Sequence, residues 1–157
     1  MTRPDFGIVT RPASPGRTVG RVREGSVHPA LARGGQGLAV VGAALILASA
    51  TIHLHLWATS YRHIATVGPL FLAQGVVSIP LAVALIGLRR VALMLAGAAL
   101  LVATAFGLLL SSWVALFGYQ ESLSAPYAGL SLVIEFGGAA VLLAGAGLTL
   151  AGSRAGR

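Results

Sequence analysis

The sequence predicts an all-α fold: a polytopic membrane protein built as an antiparallel four-helix transmembrane bundle. Hydrophobic residues make up 56% of the 157 residues and charged residues only 10%, whereas about a quarter of the residues in a soluble domain are charged. The mean hydropathy of the chain is correspondingly high, at +0.86. Four apolar windows are each long enough to cross a bilayer, and arginines flank them.

Residues 1–36 precede the first of these windows and are rich in Arg, Pro, Gly and Ser. They show no apolar periodicity, which predicts a disordered, basic tail on the cytoplasmic side. The segment also has no apolar stretch typical of a cleavable signal peptide. In the alternative interpretation, the tail docks on anionic lipid or on an acidic partner.

The transmembrane domain is predicted over residues 37–151, with spans at about 37–59, 68–88, 91–117 and 126–151. At a rise of about 1.5 Å per residue, each span crosses a hydrocarbon core of roughly 30 Å. Pro80 lies inside the second span, where a proline removes a backbone hydrogen bond and is expected to kink the helix. Residues 152–157 form a short cytoplasmic tail.

The positions of the arginines predict which way the chain crosses the membrane. Of the eleven arginines, six lie in the N-terminal tail, two in the central turn, two at the C-terminus, and only Arg62 in an opposite loop. The positive-inside rule therefore predicts a multi-pass plasma-membrane protein with both termini in the cytoplasm. The arginines that orient the chain in this way account for its net charge of +7. The expected partner is the lipid bilayer, with other membrane subunits or a second copy of the chain, and not nucleic acid.

Small and polar residues recur along one face of each predicted span. In lipid, helices associate through such faces, because close packing and interhelical hydrogen bonds replace the hydrophobic effect. We expect these faces to turn inward in the bundle. The residues predicted to face inward are Gly42, Ser49 and His53, then Gln74, Ser78 and Ala82, then Gly97, Thr104 and Ser111, and finally Ser131, Glu135, Gly138, Gly145 and Thr149.

Five residues form a candidate polar cluster near the outer surface: His53, Arg62, Gln74, Glu121 and Glu135. Glu135 lies about 12 Å along its helix from that surface, where a bare carboxylate costs about 2.5–3.5 kcal/mol or more. One interpretation is that its hydrogen bonds only fix helix packing, each contributing about 0.6–2 kcal/mol. The other is a proton-responsive or cation-responsive pocket shared with His53. Arg62 and Glu121 are expected to form a surface ion pair between loops.

The sequence gives little support for metal, cofactor or catalytic chemistry. His53 and His55 point about 200° apart on a helix, so they do not form a metal pair. A metal held by His53 or His63 with Glu121 or Glu135 is the remaining alternative. Every histidine precedes residue 64, so haem ligation by two histidines would need a dimer. There is no cysteine and no hydrolase, nucleotide or zinc-protease motif. We therefore expect no metal, no cofactor and no enzymatic activity.

The stretch IHLHLW at residues 52–57 is followed by YRHIATVGPLFLAQ at residues 61–74. This pair of motifs resembles a group of small four-span integral membrane proteins of actinobacteria, with the pattern IHLxLW…YRxIxTxGPLFLxQ. Ala65 and Val67 stand where the group carries proline and isoleucine. The resemblance covers about the first two spans and implies the four-span fold, without an assigned activity.

These observations favour a non-enzymatic plasma-membrane protein, an accessory or sensor subunit with an outward-facing polar cluster. The alternative is a proton-coupled small transporter or channel subunit, for which a bundle of this size would have to oligomerise. A haem or quinone redox protein is the third class.

Overall fold

The computed structural model describes residues 27–155, and it has the predicted all-α architecture. The helices are α1 (Val27–Leu56), α2 (Val67–Leu88), α3 (Val91–Trp113) and α4 (Ala128–Ala155). A single π-helical turn, Trp57–Tyr61, continues α1. Each helix is long and apolar enough to cross a membrane. Large apolar side chains such as Val83, Phe106 and Val133 are exposed on the outside of the bundle, where lipid rather than water would surround them.

The helix boundaries differ from the predicted spans at the two ends of the chain and at the end of the third span, since α3 ends at Trp113 and not near Phe117. α1 begins at Val27, whereas the sequence predicts a start near Gly37, and α4 continues to Ala155 through much of the predicted C-terminal tail. The extension of α1 packs against α4, because a Cβ on Gly35 would lie 2.8 Å from the carbonyl oxygen of Gly145. This contact gives the added turns of α1 a partner. The rest of the predicted N-terminal tail, residues 1–26, lies outside the described residues.

The connections are short and set an antiparallel order. Between α2 and α3, Arg89 adopts a left-handed conformation with a φ of 48°, and Arg90 is extended. This turn shares one end of the bundle with Arg33 and Arg154, and we call it the arginine end. The opposite end, the loop end, comprises residues 57–66 and 114–127.

The predicted inward faces are the faces that pack. Most of these residues are buried, and Thr104, Ser111 and Thr149 are half-buried. Glycine permits the closest approach, since a Cβ on Gly42 would clash with Leu142 across the α1–α4 contact. The side chains of the arginine-end half form one apolar core: Ala39, Ala43, Ile46, Ala82, Leu85, Met94, Ala98, Leu101, Ala139, Leu142 and Ala146.

Candidate functional site

One hydroxyl group connects three helices in the loop-end half of the bundle. Ser49 of α1 donates a hydrogen bond to Oε1 of Glu135 on α4, at 3.3 Å. The Ser49 hydroxyl oxygen in turn accepts a hydrogen bond from Nε2 of Gln74 on α2, at 3.4 Å. Their residues are almost inaccessible, with exposed fractions of 0% for Ser49, 1% for Glu135 and 6% for Gln74. The network therefore lies between the helices and not on the surface.

His53 lies one helical turn beyond Ser49 and completes this polar cluster. Its Nδ1 atom lies 2.9 Å from the carbonyl oxygen of Ser49, and since a carbonyl only accepts, Nδ1 carries the hydrogen. Nε2 then faces Oε1 of Glu135 at 3.9 Å. This distance is too long for a hydrogen bond but short enough for strong electrostatic coupling. The ring also packs on Phe71 of α2, with centroids 5.0 Å apart.

Two buried polar atoms in the cluster have no hydrogen-bond partner among the residues that the structure describes. They are Oε1 of Gln74 and Oε2 of Glu135. A buried polar atom left without a partner costs about 1–3 kcal/mol, so most such atoms in folded proteins are paired. Both residues line the same cavity. The cluster is therefore incomplete on the side that faces the cavity.

The cavity has a volume of about 460 Å³ and extends from the cluster to the loop end. All four helices contribute to its lining, and most of the lining is apolar. Val77 of α2 and Ala103 of α3 line it and are also exposed on the outside of the bundle. The cavity therefore reaches the lipid-facing surface between α2 and α3.

A second polar contact closes the cavity at the loop end. The hydroxyl of Tyr61, in the π-helical turn, donates to Oε2 of Glu121 at 2.5 Å. The Tyr61 ring stacks on Phe71, with centroids 4.5 Å apart and planes inclined by 11°, and meets Tyr119 edge-on. The backbone nitrogen of Glu121 in turn donates to the carbonyl oxygen of Ser111 at 3.2 Å. These contacts fix the loop before α4 against α1 and α3.

One loop-end residue that lines the cavity has an unusual backbone conformation. Phe117 has a φ of 52° and precedes Gly118, whose φ is 79°. A bulky side chain in this region is strained, and such strain concentrates at functional sites. Phe117 is 65% exposed and lines the cavity.

The structure brings three of the five predicted cluster residues together: His53, Gln74 and Glu135. Glu121 lines the same cavity but at the loop end, separated from them by the Tyr61 ring. The prediction of an ion pair between Arg62 and Glu121 is wrong, because the described residues do not form it. Arg62 is exposed and donates from Nε to Nε2 of His63 at 2.9 Å, because Tyr61 is the residue that reaches Glu121.

Sequence reasoning missed the roles of two residues. It placed Ser49 on a packing face without recognising that its hydroxyl links Gln74 and Glu135. The signal was available, because Ser49 is four residues before His53 and so shares its face. It gave Tyr61 no role in the polar cluster, yet this residue is only 7% exposed and bonds to Glu121.

The remaining histidines lie away from the cluster. His55 is exposed, as its spacing predicts, and meets the Tyr127 ring edge-on at 5.7 Å. Within residues 27–155, no three His, Asp or Glu side chains are grouped closely enough to hold a metal ion.

Four apolar helices with an outward-facing apolar surface define the class: a multi-pass α-helical membrane protein with a buried polar cluster. No protein-family model matches the chain, and comparisons with curated proteins and with solved structures also find no match. The resemblance to four-span actinobacterial proteins therefore stays a prediction.

Proposed function

We propose that this protein is a non-enzymatic sensor or accessory subunit of the plasma membrane, and that its responsive element is the buried cluster of Ser49, His53, Gln74 and Glu135. The observation that carries the proposal is the pair formed by the imidazole of His53 and the carboxyl of Glu135. Nε2 and Oε1 are 3.9 Å apart at the inner limit of a cavity. Ionisable groups inside a membrane are functional candidates, because burying a charge there is costly.

The tautomer of His53 directs any change in protonation toward Glu135. Since Nδ1 donates to the Ser49 carbonyl, a proton is gained or lost only at Nε2, which faces the carboxyl. When Nε2 of His53 and the Glu135 carboxyl hold one proton between them, the pair is neutral overall. Adding a second proton, or removing the first, leaves a net charge between α1 and α4. At low dielectric such a charge changes the energy of helix packing substantially. Protonation and helix arrangement are therefore coupled.

The other titratable side chains of the cavity lie at its loop end. They are Tyr61, Tyr119, Glu121 and Tyr127. The short hydrogen bond from Tyr61 occupies Glu121. The pair of His53 and Glu135 is thus the titratable element farthest from the loop end and the one closest to the packed core.

The same geometry argues against catalysis by Ser49. The His53 nitrogen nearest to its hydroxyl, at 3.4 Å, is Nδ1, and this atom is already a donor to the Ser49 carbonyl. It therefore does not act as the base that an activated serine requires.

The arginine-end core supports a sensor over a proton-coupled transporter. The cavity lining extends no farther toward that end than Val77, Leu100 and Glu135. Beyond it lie fully buried apolar side chains, including Ile46, Met94 and Leu142. The described residues thus leave no water path from the cluster to the arginine end, which a conducting monomer would need.

The arginine end and the loop end also indicate how the protein is oriented in the membrane. Arg33, Arg89, Arg90 and Arg154 mark one end of the described bundle, and the positive-inside rule assigns that end to the cytoplasm. The cavity and the cluster then belong to the outer half of the plasma membrane, where the cluster would respond to external conditions.

The proposal is tested by measuring helix separation as a function of pH. The chain has no native cysteine, so Ala58→Cys and Gly129→Cys place unique spin labels on the loop ends of α1 and α4. In nanodiscs, we expect the distance distribution to change between about pH 5 and pH 8, the range in which histidine titrates.

The controls separate the cluster from other titratable groups. Glu135→Gln keeps the shape of the side chain and its hydrogen bond from Ser49, yet it should abolish the pH response. His53→Gln should do the same. His63→Gln changes an exposed histidine outside the cavity and should leave the response intact. A wild-type distance that does not vary with pH would overturn the sensor proposal.

A further inference from the structure

We propose that the cavity binds a neutral amphiphile from the outer leaflet, one whose hydroxyl head group bonds to Gln74 and Glu135 while its chain extends between α2 and α3. This inference deepens the proposed function and rests on it, since the amphiphile would be the ligand to which the sensor responds. It starts from the two buried atoms without partners, Oε1 of Gln74 and Oε2 of Glu135.

The two atoms specify the hydrogen-bonding character of the head group. The Gln74 amide is oriented by its Nε2 donor, which bonds to Ser49, so its free Oε1 is an acceptor and needs a donor from the ligand. Oε2 of Glu135 either accepts or, when the carboxyl is protonated, donates. When the Glu135 carboxyl is protonated, a hydroxyl group satisfies both atoms, because it donates its hydrogen to Oε1 of Gln74 and accepts one from Oε2 of Glu135. An ether or ketone oxygen cannot donate to Gln74.

Charge in the cavity excludes an anionic head group. The lining contains two carboxyl groups, those of Glu121 and Glu135, and no arginine. A fatty carboxylate or a phosphate at the cluster would therefore face Glu135 without a compensating cation other than His53. Burial of an unpaired charge at such a site is unfavourable. A neutral head group avoids this cost.

The dimensions and walls of the cavity fit an amphiphile with a single chain. Its volume of about 460 Å³ lies in the range of small-ligand sites. The walls are mainly apolar, with Leu70 and Val77 from α2 and Leu100 and Leu108 from α3. Because the cavity reaches the lipid-facing surface between these helices, a ligand can enter from the bilayer without crossing water.

One glycine in the cavity wall provides a way to fill it without disturbing the fold. A Cβ on Gly107 of α3 would meet nothing within 4 Å, and Gly107 lines the cavity. Gly107→Leu would therefore place its side chain in the ligand's volume. Gly137 of α4 is the matched control, since its Cβ would also meet nothing within 4 Å and it lies outside the cavity lining. Both substitutions replace a helical glycine by a better helix former.

The experiment is photolabelling of the full chain in phosphatidylcholine nanodiscs with a dodecanol derivative that carries a diazirine near the chain terminus. We expect labelled peptides from α2 and α3 around the cavity, and competition by unlabelled 1-dodecanol. Dodecyl methyl ether has the same chain without the hydroxyl hydrogen. It should compete at least about tenfold more weakly, the loss expected for one good hydrogen bond.

Variants test the site itself. Gly107→Leu should abolish the competed labelling, and Gly137→Leu should retain it. Gln74→Leu should weaken binding by about tenfold or more, whereas Gln120→Leu, at an exposed amide outside the cavity, should have no effect. Equal competition by alcohol and ether, or labelling unchanged by Gly107→Leu, would overturn the ligand proposal.

The photolabelling experiment, which tests the ligand, can fail independently of the spin-label experiment, which tests the sensor. The pH response of the spin-labelled protein is measured in nanodiscs without dodecanol. A normal pH response without specific labelling removes the ligand and leaves the sensor. Specific labelling without a pH response removes the sensor and leaves a binding site.

Discussion

The two halves of this bundle are built from the same four helices but differ in how those helices pack. In the arginine-end half, alanine and leucine side chains pack with Ile46 and Met94 into a continuous apolar core, and α1 approaches α4 closely enough that glycine is required. In the loop-end half, the same faces carry Ser49, Gln74 and Glu135 in a hydrogen-bonded network. There α2 and α3 separate around a cavity.

From this difference we infer which half of the bundle stabilises it and which half can change conformation. Helices in lipid gain most from close packing, so the arginine-end half is expected to hold the bundle together. The loop-end half contains buried polar atoms without partners, a π-helical turn and a strained Phe117. Such features lower local stability and accompany sites that bind or switch. The first half can thus act as a fixed base while the second changes.

The largest effect is expected at the glycine contact of the arginine end. In Gly35→Ala the new Cβ would lie 2.8 Å from the backbone carbonyl oxygen of Gly145 and would also collide with Thr149. A backbone atom cannot rotate away, so we expect a loss of about 1–3 kcal/mol in the free energy of unfolding. The measurement is unfolding in mixed micelles by titration with SDS.

Gly37→Ala is the matched control, because a Cβ there would meet nothing within 4 Å. This substitution should stabilise the helix by up to about 1 kcal/mol, the difference in helix propensity. If both substitutions shift the unfolding midpoint in the same direction, the close packing of α1 on α4 does not determine the stability of the bundle.

A smaller effect is expected from Ser49→Ala in the polar cluster. The substitution removes the donor to Glu135 and the acceptor of Gln74, and interhelical hydrogen bonds in membranes contribute about 0.6–2 kcal/mol. Combined with Gln74→Leu, the two losses should be less than additive, since both remove the same bond. Ser112→Ala, which removes only a bond within α3, should cost less. Additive losses would mean that Ser49 does not link the two helices.

The sequence predicts the arginine-end half better than the loop-end half, and the reason is physical. Lipid requires helices that satisfy their own backbone hydrogen bonds, so span number follows from hydropathy. Small residues mark contact faces, which is why Gly42, Gly97 and Gly145 were placed correctly on the packed side. These inferences need only the periodicity of one helix at a time.

The loop end depends on geometry that no single helix encodes. The π-helical turn widens the end of α1 and returns Tyr61 to the face that carries His53, and both residues line the cavity. Ordinary α-helical spacing leaves Tyr61 and Arg62 equally plausible partners for Glu121. The cavity itself depends on the separation of α2 from α3, which is set by contacts that each makes elsewhere.

The smallest effect is expected from Tyr61→Phe at the loop end. The substitution removes the hydrogen bond to Glu121 while retaining the ring stack on Phe71, so it should cost about 0.5–1.5 kcal/mol. Because this bond fixes the loop before α4, amide hydrogen exchange in residues 114–127 should accelerate. Arg62→Ala removes an exposed side chain that bonds only to His63, and it should change the free energy of unfolding by less than about 0.5 kcal/mol. Faster exchange in Arg62→Ala than in Tyr61→Phe would restore the ion pair that the sequence predicts and would remove Tyr61 from the closure of the cavity.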